Sequence, residues 1–94
     1  MADESFSDAV LTFIWGDHSK PSPGERPEYL TDEQIDYLPR IRVAIDLVFA
    51  EKPRYDETLE ADTARREALV RAAYPELTEQ AIHAIGNYYH FCYR

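Results

Sequence analysis

Six prolines decide where this chain can be helical and where it cannot. Proline fixes φ and removes a backbone donor, and it pushes the residue before it out of the helical region. Pro21, Pro23 and Pro27 fall together, while Pro39, Pro53 and Pro75 stand singly. The stretches between them carry apolar residues three and four apart, the spacing of an amphipathic helix. Four helices follow from this punctuation. The chain is expected to be an all-α, single-domain bundle of four to five helices over residues 1–94, with residues 16–30 as a Pro-rich loop.

The first predicted helix runs from about Ser5 or Ser7 to Trp15, with Gly16 as its stop. Phe6, Ala9, Val10 and Phe13 share one face, and Leu11 and Trp15 lie four apart on another. The second has the clearest start signal. Thr31 and Gln34 make a capping-box pair, Leu30 and Ile35 occupy the positions of a hydrophobic staple, and Asp32 and Glu33 complement the helix dipole. At Pro39 a short helix is expected to end and a new one to restart. Beyond it Ile41, Ala44, Ile45, Val48 and Phe49 form a broad apolar face, with Val43 and Leu47 on another side. An element apolar on two sides is usually central, so this helix is the expected hub of the core.

The third helix starts between Asp56 and Asp62 and ends near Tyr74. Asp62 can reach Arg66, and Glu67 can reach Arg71, each at i,i+4 with the acid first. Leu59, Leu69, Val70 and Ala73 are its expected apolar face. The fourth follows Thr78 as N-cap and presents Ile82, Ile85, Tyr89 and Cys92 as a seam. The resemblance between residues 30–35 and 77–82 is repeated capping chemistry, since the helices that follow diverge. The predicted core is Ile41, Ile45, Val48, Phe49, Ile82, Ile85 and Tyr89.

Charge is distributed unevenly. Residues 1–39 hold nine acidic side chains and two basic ones, whereas residues 40–94 hold nine and eight, within a formal net charge of −8. A surplus of one sign steers partners of the other. It disfavours nucleic acid, whose binding depends on clustered Lys and Arg, and it disfavours an anionic membrane surface. The longest apolar run, Val43 to Ala50, is interrupted by Asp46 and cannot span a bilayer. The single cysteine cannot form an internal disulfide, and the opening Met-Ala-Asp-Glu-Ser lacks the profile of a secretory signal, so a cytoplasmic setting is expected.

No catalytic signature emerges. Asp17, His18 and Ser19 have the residue types of a hydrolase triad, but adjacent side chains cannot converge as nucleophile, base and orienter. Glu79 and His83 stand one turn apart, too few ligands for a structural zinc, and His90 is two turns further on. Three glycines provide no phosphate-cradling loop. No enzyme class, cofactor or metal is expected.

The expected function is therefore a non-enzymatic acidic protein-binding module: an inhibitor, adaptor or decoy that docks a basic partner through its N-terminal third. Its candidate contact residues are Asp32, Glu33, Asp36, Trp15 and Phe91. Small acidic helical chains of this kind are frequent among phage and mobile-element accessory proteins, which sets a class-level expectation. Two alternatives stand beside it. The outline of residues 65–93 suits a dimeric helix-turn-helix DNA-binding regulator, with Arg65, Arg66 and Arg71 touching phosphates; Glu76 and Glu79 at the start of the would-be recognition helix oppose it. The other is a self-associating assembly subunit, such as a homodimer, whose aromatics are consumed between copies.

Overall fold

The computed structural model describes residues 3–16, 22–52 and 56–93. They form four α-helices: α1 (Glu4–Trp15), α2 (Leu38–Phe49), α3 (Leu59–Ala73) and α4 (Glu79–Tyr93). Two short 3-10 turns, Pro27–Tyr29 and Ile35–Tyr37, lie between α1 and α2. There is no strand among the described residues, and the expected all-α bundle is the observed fold.

Helix ends follow the local chemistry. Asp3 accepts the Phe6 N–H at 3.0 Å and caps α1. Gly16 ends it at φ 69°, a left-handed conformation that a Cβ would oppose, and its N–H donates to the Thr12 carbonyl. Thr31 and Gln34 form the reciprocal pair expected of a capping box: the Thr31 N–H donates to Gln34 Oε1 at 3.1 Å, and the Gln34 N–H to Thr31 Oγ1 at 3.2 Å. This box opens only the 3-10 turn. The α-helix restarts at Leu38 with Pro39 in its first turn, where a missing N–H is no loss. Thr58 caps α3 through the Ala61 N–H, and Thr78 Oγ1 accepts the Ala81 N–H at the start of α4.

One core cluster gathers residues from all four helices, including Phe6, Val10, Phe13 and Ile14 of α1. Of the predicted core, Ile41, Ile45, Val48, Ile82, Ile85 and Tyr89 are buried, and Phe49 is partly so. The centre is α4 rather than α2, because α4 packs against each of the other three helices. The reason is size: Ala81, Ala84 and Gly86 are buried on α4 and let neighbouring backbones approach closely. A Cβ built on Gly86 would lie 1.9 Å from Glu67 Oε2, so any side chain there would have to displace the Glu67 carboxylate. On the outer side of α2, Val43 is 57% exposed.

The apolar face expected on α3 is corrected. Leu69 and Ala73 are exposed, and the buried residues are Asp62, Thr63, Arg66 and Val70. A helix end leaves carbonyls without intrahelical partners, and the end of α2 points its own at Arg66. The guanidinium donates to the carbonyls of Val48, Glu51 and Lys52. It also donates to Asp62 Oδ1 at 3.0 Å and lies 4.3 Å from the centroid of the Tyr89 ring. This clamp sets the rotation of α3 and turns Leu69 outward. The Cys92 expectation is corrected too: residues 91–93 are exposed, so the last turn of α4 overhangs the core.

The N-terminal helix is fastened to the α3–α4 turn. The Asp3 N–H donates to the Glu76 carbonyl at 2.6 Å, and the Thr78 N–H donates to Ser7 Oγ at 3.0 Å. Arg40 pairs with Glu76 at 2.8 Å while its guanidinium covers the Phe6 ring at 4.2 Å. The segment after α1 returns along it, with the Gly24 and Arg26 N–H groups donating to the Ile14 and Phe13 carbonyls.

Candidate protein-binding surface

Asp32, Glu33 and Asp36 are all exposed, on the turn that leads into α2. Their position is fixed by the capping pair Thr31–Gln34 and by a contact from Gln34 Nε2 to Thr12 Oγ1 of α1 at 3.4 Å. Among the described residues none of the three is paired with a cation, although the chain carries several arginines. Each of those arginines has another task. Arg26 donates to the Ile14 and Ser22 carbonyls, and Arg40 is held by Glu76. Arg65 pairs with Glu57 at 3.1 Å and with Asp62 at 2.6 Å. Arg71 makes a two-pronged pair with Glu79, both contacts at 2.9 Å. That pair draws the Glu79 carboxyl below its ordinary range through hydrogen bonding and charge.

Glu4, Asp8 and Glu28 are exposed as well, and none of them has a cation partner among the described residues. Glu4, Asp8, Glu28, Asp32, Glu33 and Asp36 thus face solvent without a cation partner among the described residues. Such a surface creates a field reaching about 8 Å, one Debye length at physiological salt.

The other two candidates are placed differently. Trp15 is half-buried against the core on α1, one turn from Thr12 and so close to the acidic turn. Phe91 is exposed near the end of α4. That end lies by the C-terminus of α2, where Phe49 meets Tyr88 and Tyr93. The acidic turn precedes the N-terminus of α2, so Phe91 stands about one helix length away, roughly 18 Å. The structure brings Asp32, Glu33, Asp36 and Trp15 into one region and leaves Phe91 out of it.

The residues weighed for chemistry find mundane partners. Glu79 is held by Arg71, His83 Nδ1 lies 2.8 Å from Glu67 Oε1, and His90 lies 3.8 Å from Glu60. Among the described residues no group of three His, Cys, Asp or Glu side chains could hold a metal. Asp17, His18 and Ser19 lie outside the described residues, as do Lys20, Arg54 and Arg94. The arginines of the DNA-binding alternative are engaged: Arg66 is 2% exposed within the clamp, and Arg65 and Arg71 are paired with carboxylates. No described helix is long and apolar enough to cross a membrane.

Sequence reasoning missed a recess on the flank of α2, lined by Glu25, Arg42, Ile45, Asp46, Phe49 and Tyr88. Arg42 and Asp46 are four apart on α2, but nothing in the sequence announces that the Pro-rich segment brings Glu25 beside them. Comparison with protein-family models, curated proteins and solved structures finds no match to this chain.

Proposed function

We propose that the chain is a non-enzymatic protein-binding module whose acidic N-terminal third docks a basic partner. One observation carries this: Asp32, Glu33 and Asp36 are exposed, and no described cation is spent on them. Intramolecular neutralisation would have made the acidic bias a matter of composition. Left open, it is a surface that accelerates encounter with a positive patch and repels a negative one. The capping pair fixes the backbone under these carboxylates, so little ordering is required when a partner arrives.

The test is affinity capture from the native host with the intact chain and with Asp32→Asn, Glu33→Gln and Asp36→Asn combined. A partner with a basic surface should be retained by the wild type, released by moderate salt, and lost from the triple variant. Retention of the same partner by the variant contradicts the reading.

Self-association is the second reading, favoured by a separate feature. Val43 and Leu69 are 57% and 44% exposed, and Leu69 shares a shallow hollow with Leu47 and Ala50. Adjoining apolar side chains on a small domain are candidates for burial between copies. Light scattering across a concentration series tests it: a mass that stays monomeric at millimolar chain removes this reading.

A further inference from the structure

The recess on α2 has a volume of about 270 Å³. Its base is apolar: Ile45 is buried, and the Phe49 and Tyr88 rings meet at a centroid distance of 5.3 Å. Phe49 is itself held by Tyr89 and Tyr93, so this aromatic wall is braced from behind. Two carboxylates line it as well. Glu25 is positioned by the Tyr88 hydroxyl, which donates to Oε2 at 2.8 Å, and Asp46 comes from α2. Burial of the ring, with the Glu25 carboxylate beside it, pushes the phenol well above its ordinary value, so it remains a donor through the physiological range. Neither Glu25 nor Asp46 has a cation partner among the described residues.

Aromatic rings beside two carboxylates, one of them held by Tyr88, suit a cation with a flat or apolar stem. A guanidinium can lie on the Phe49 and Tyr88 rings and still donate to both acids. A phosphate or other anion would meet two like charges. A hydrocarbon would strip water from the carboxylates and give nothing in return. Arg42, which also lines the recess, leaves the lining one charge negative, which matches one monovalent group. It has no carboxylate partner among the described residues and can meet an acid flanking that group.

We propose that this recess is the socket for a single arginine side chain of the protein partner. The inference rests on the docking reading above and deepens it: the acidic turn supplies attraction at a distance, and the socket supplies specificity on contact.

The experiment is an NMR titration of the intact ¹⁵N-labelled chain with acetyl-Gly-Arg-Gly-amide, beside the same peptide carrying glutamine. The arginine peptide should shift the amides of Arg42, Asp46, Phe49 and Tyr88, and the glutamine peptide should not. Glu25→Gln and Asp46→Asn should each weaken binding about threefold, the range of a single exposed charge contact. Tyr88→Phe, which releases Glu25, should weaken it in the same sense while preserving the ring. An equal response to both peptides overturns the socket, as does unchanged affinity in the two carboxylate variants. Shifts confined to residues 32–36 also overturn it, while leaving the acidic docking surface standing. The capture experiment above fails or succeeds independently of either peptide.

Discussion

Arg66 and Asp62 form an ion pair at 3.0 Å, one turn apart on α3, with both side chains 2% exposed. The pair is completed from outside its own helix. The Tyr89 hydroxyl donates to Asp62 Oδ2, and the carbonyls of Val48, Glu51 and Lys52 at the end of α2 accept from the two terminal guanidinium nitrogens. Three helices therefore meet on one buried charge network. Burial favours loss of the Asp62 charge, but the hydrogen bonds from Tyr89 and Arg66 and the charges of Arg66 and Arg65 outweigh it, holding the carboxyl below its ordinary value.

Breaking this network on one side strands a buried charge. Asp62→Ala or Arg66→Ala should each cost about 3–5 kcal/mol, a large part of the roughly 5–15 kcal/mol available to a domain of this kind. Urea unfolding followed by circular dichroism measures this. A cost below about 1 kcal/mol would mean that the pair is not the anchor of α3.

Acid and alkali should both destabilise the fold, for opposite reasons. The folded pKa of Asp62 lies below the unfolded value near 3.8, so its contribution is complete above that value and is lost as pH falls through the folded pKa. Tyr88 and Tyr89 have folded pKa values above the unfolded 10.0, mainly through burial and through the carboxylates they bond. Their contribution is complete below pH 10.0 and declines as pH rises beyond it. Melting temperature against pH should show both limbs, and Tyr88→Phe should flatten the alkaline one. An unchanged alkaline limb in that variant would contradict the Tyr88–Glu25 contact.

Thr63 is buried, and its hydroxyl has no hydrogen-bond partner among the described residues. Thr63→Val keeps the shape and removes the polar atom, so it should be neutral or stabilising by about 1 kcal/mol. Thermal unfolding decides it, and a loss of 2 kcal/mol or more, on the order of a forfeited hydrogen bond, would show that the hydroxyl is bonded after all.

Gly86 and Glu67 should behave as a coupled pair. A Cβ at position 86 collides with the Glu67 carboxylate at 1.9 Å, and that carboxylate also holds His83. Alanine is favoured over glycine inside a helix by about 1 kcal/mol. Gly86→Ala should thus be more favourable in a Glu67→Ala background than in the wild type, by about 1 kcal/mol or more. Additive effects in the double-mutant cycle would remove the collision.

The helices, most of the core and the Thr31 and Thr78 caps were legible in the sequence because they depend on local chemistry: spacing, prolines and capping side chains. The Asp3 and Thr58 caps emerged only in the structure. The phase of α3 was not. Its burial is decided by carbonyls of α2, so an i,i+4 acid–arginine pair that reads as solvated surface became interior, and Leu69 was displaced outward. The exposed acids of residues 32–36 could be read from charge alone. The recess could not, since Glu25 reaches Asp46 only through the return path of the Pro-rich segment along α1.

The direct test of the docking surface is the association rate of the captured partner with the wild type and with the combined Asp32→Asn, Glu33→Gln, Asp36→Asn variant, measured by stopped flow at low and physiological ionic strength. The on-rate of the variant should be at least several-fold slower at low salt, with a flatter salt dependence. Equal rates and equal salt slopes for the two proteins would contradict it.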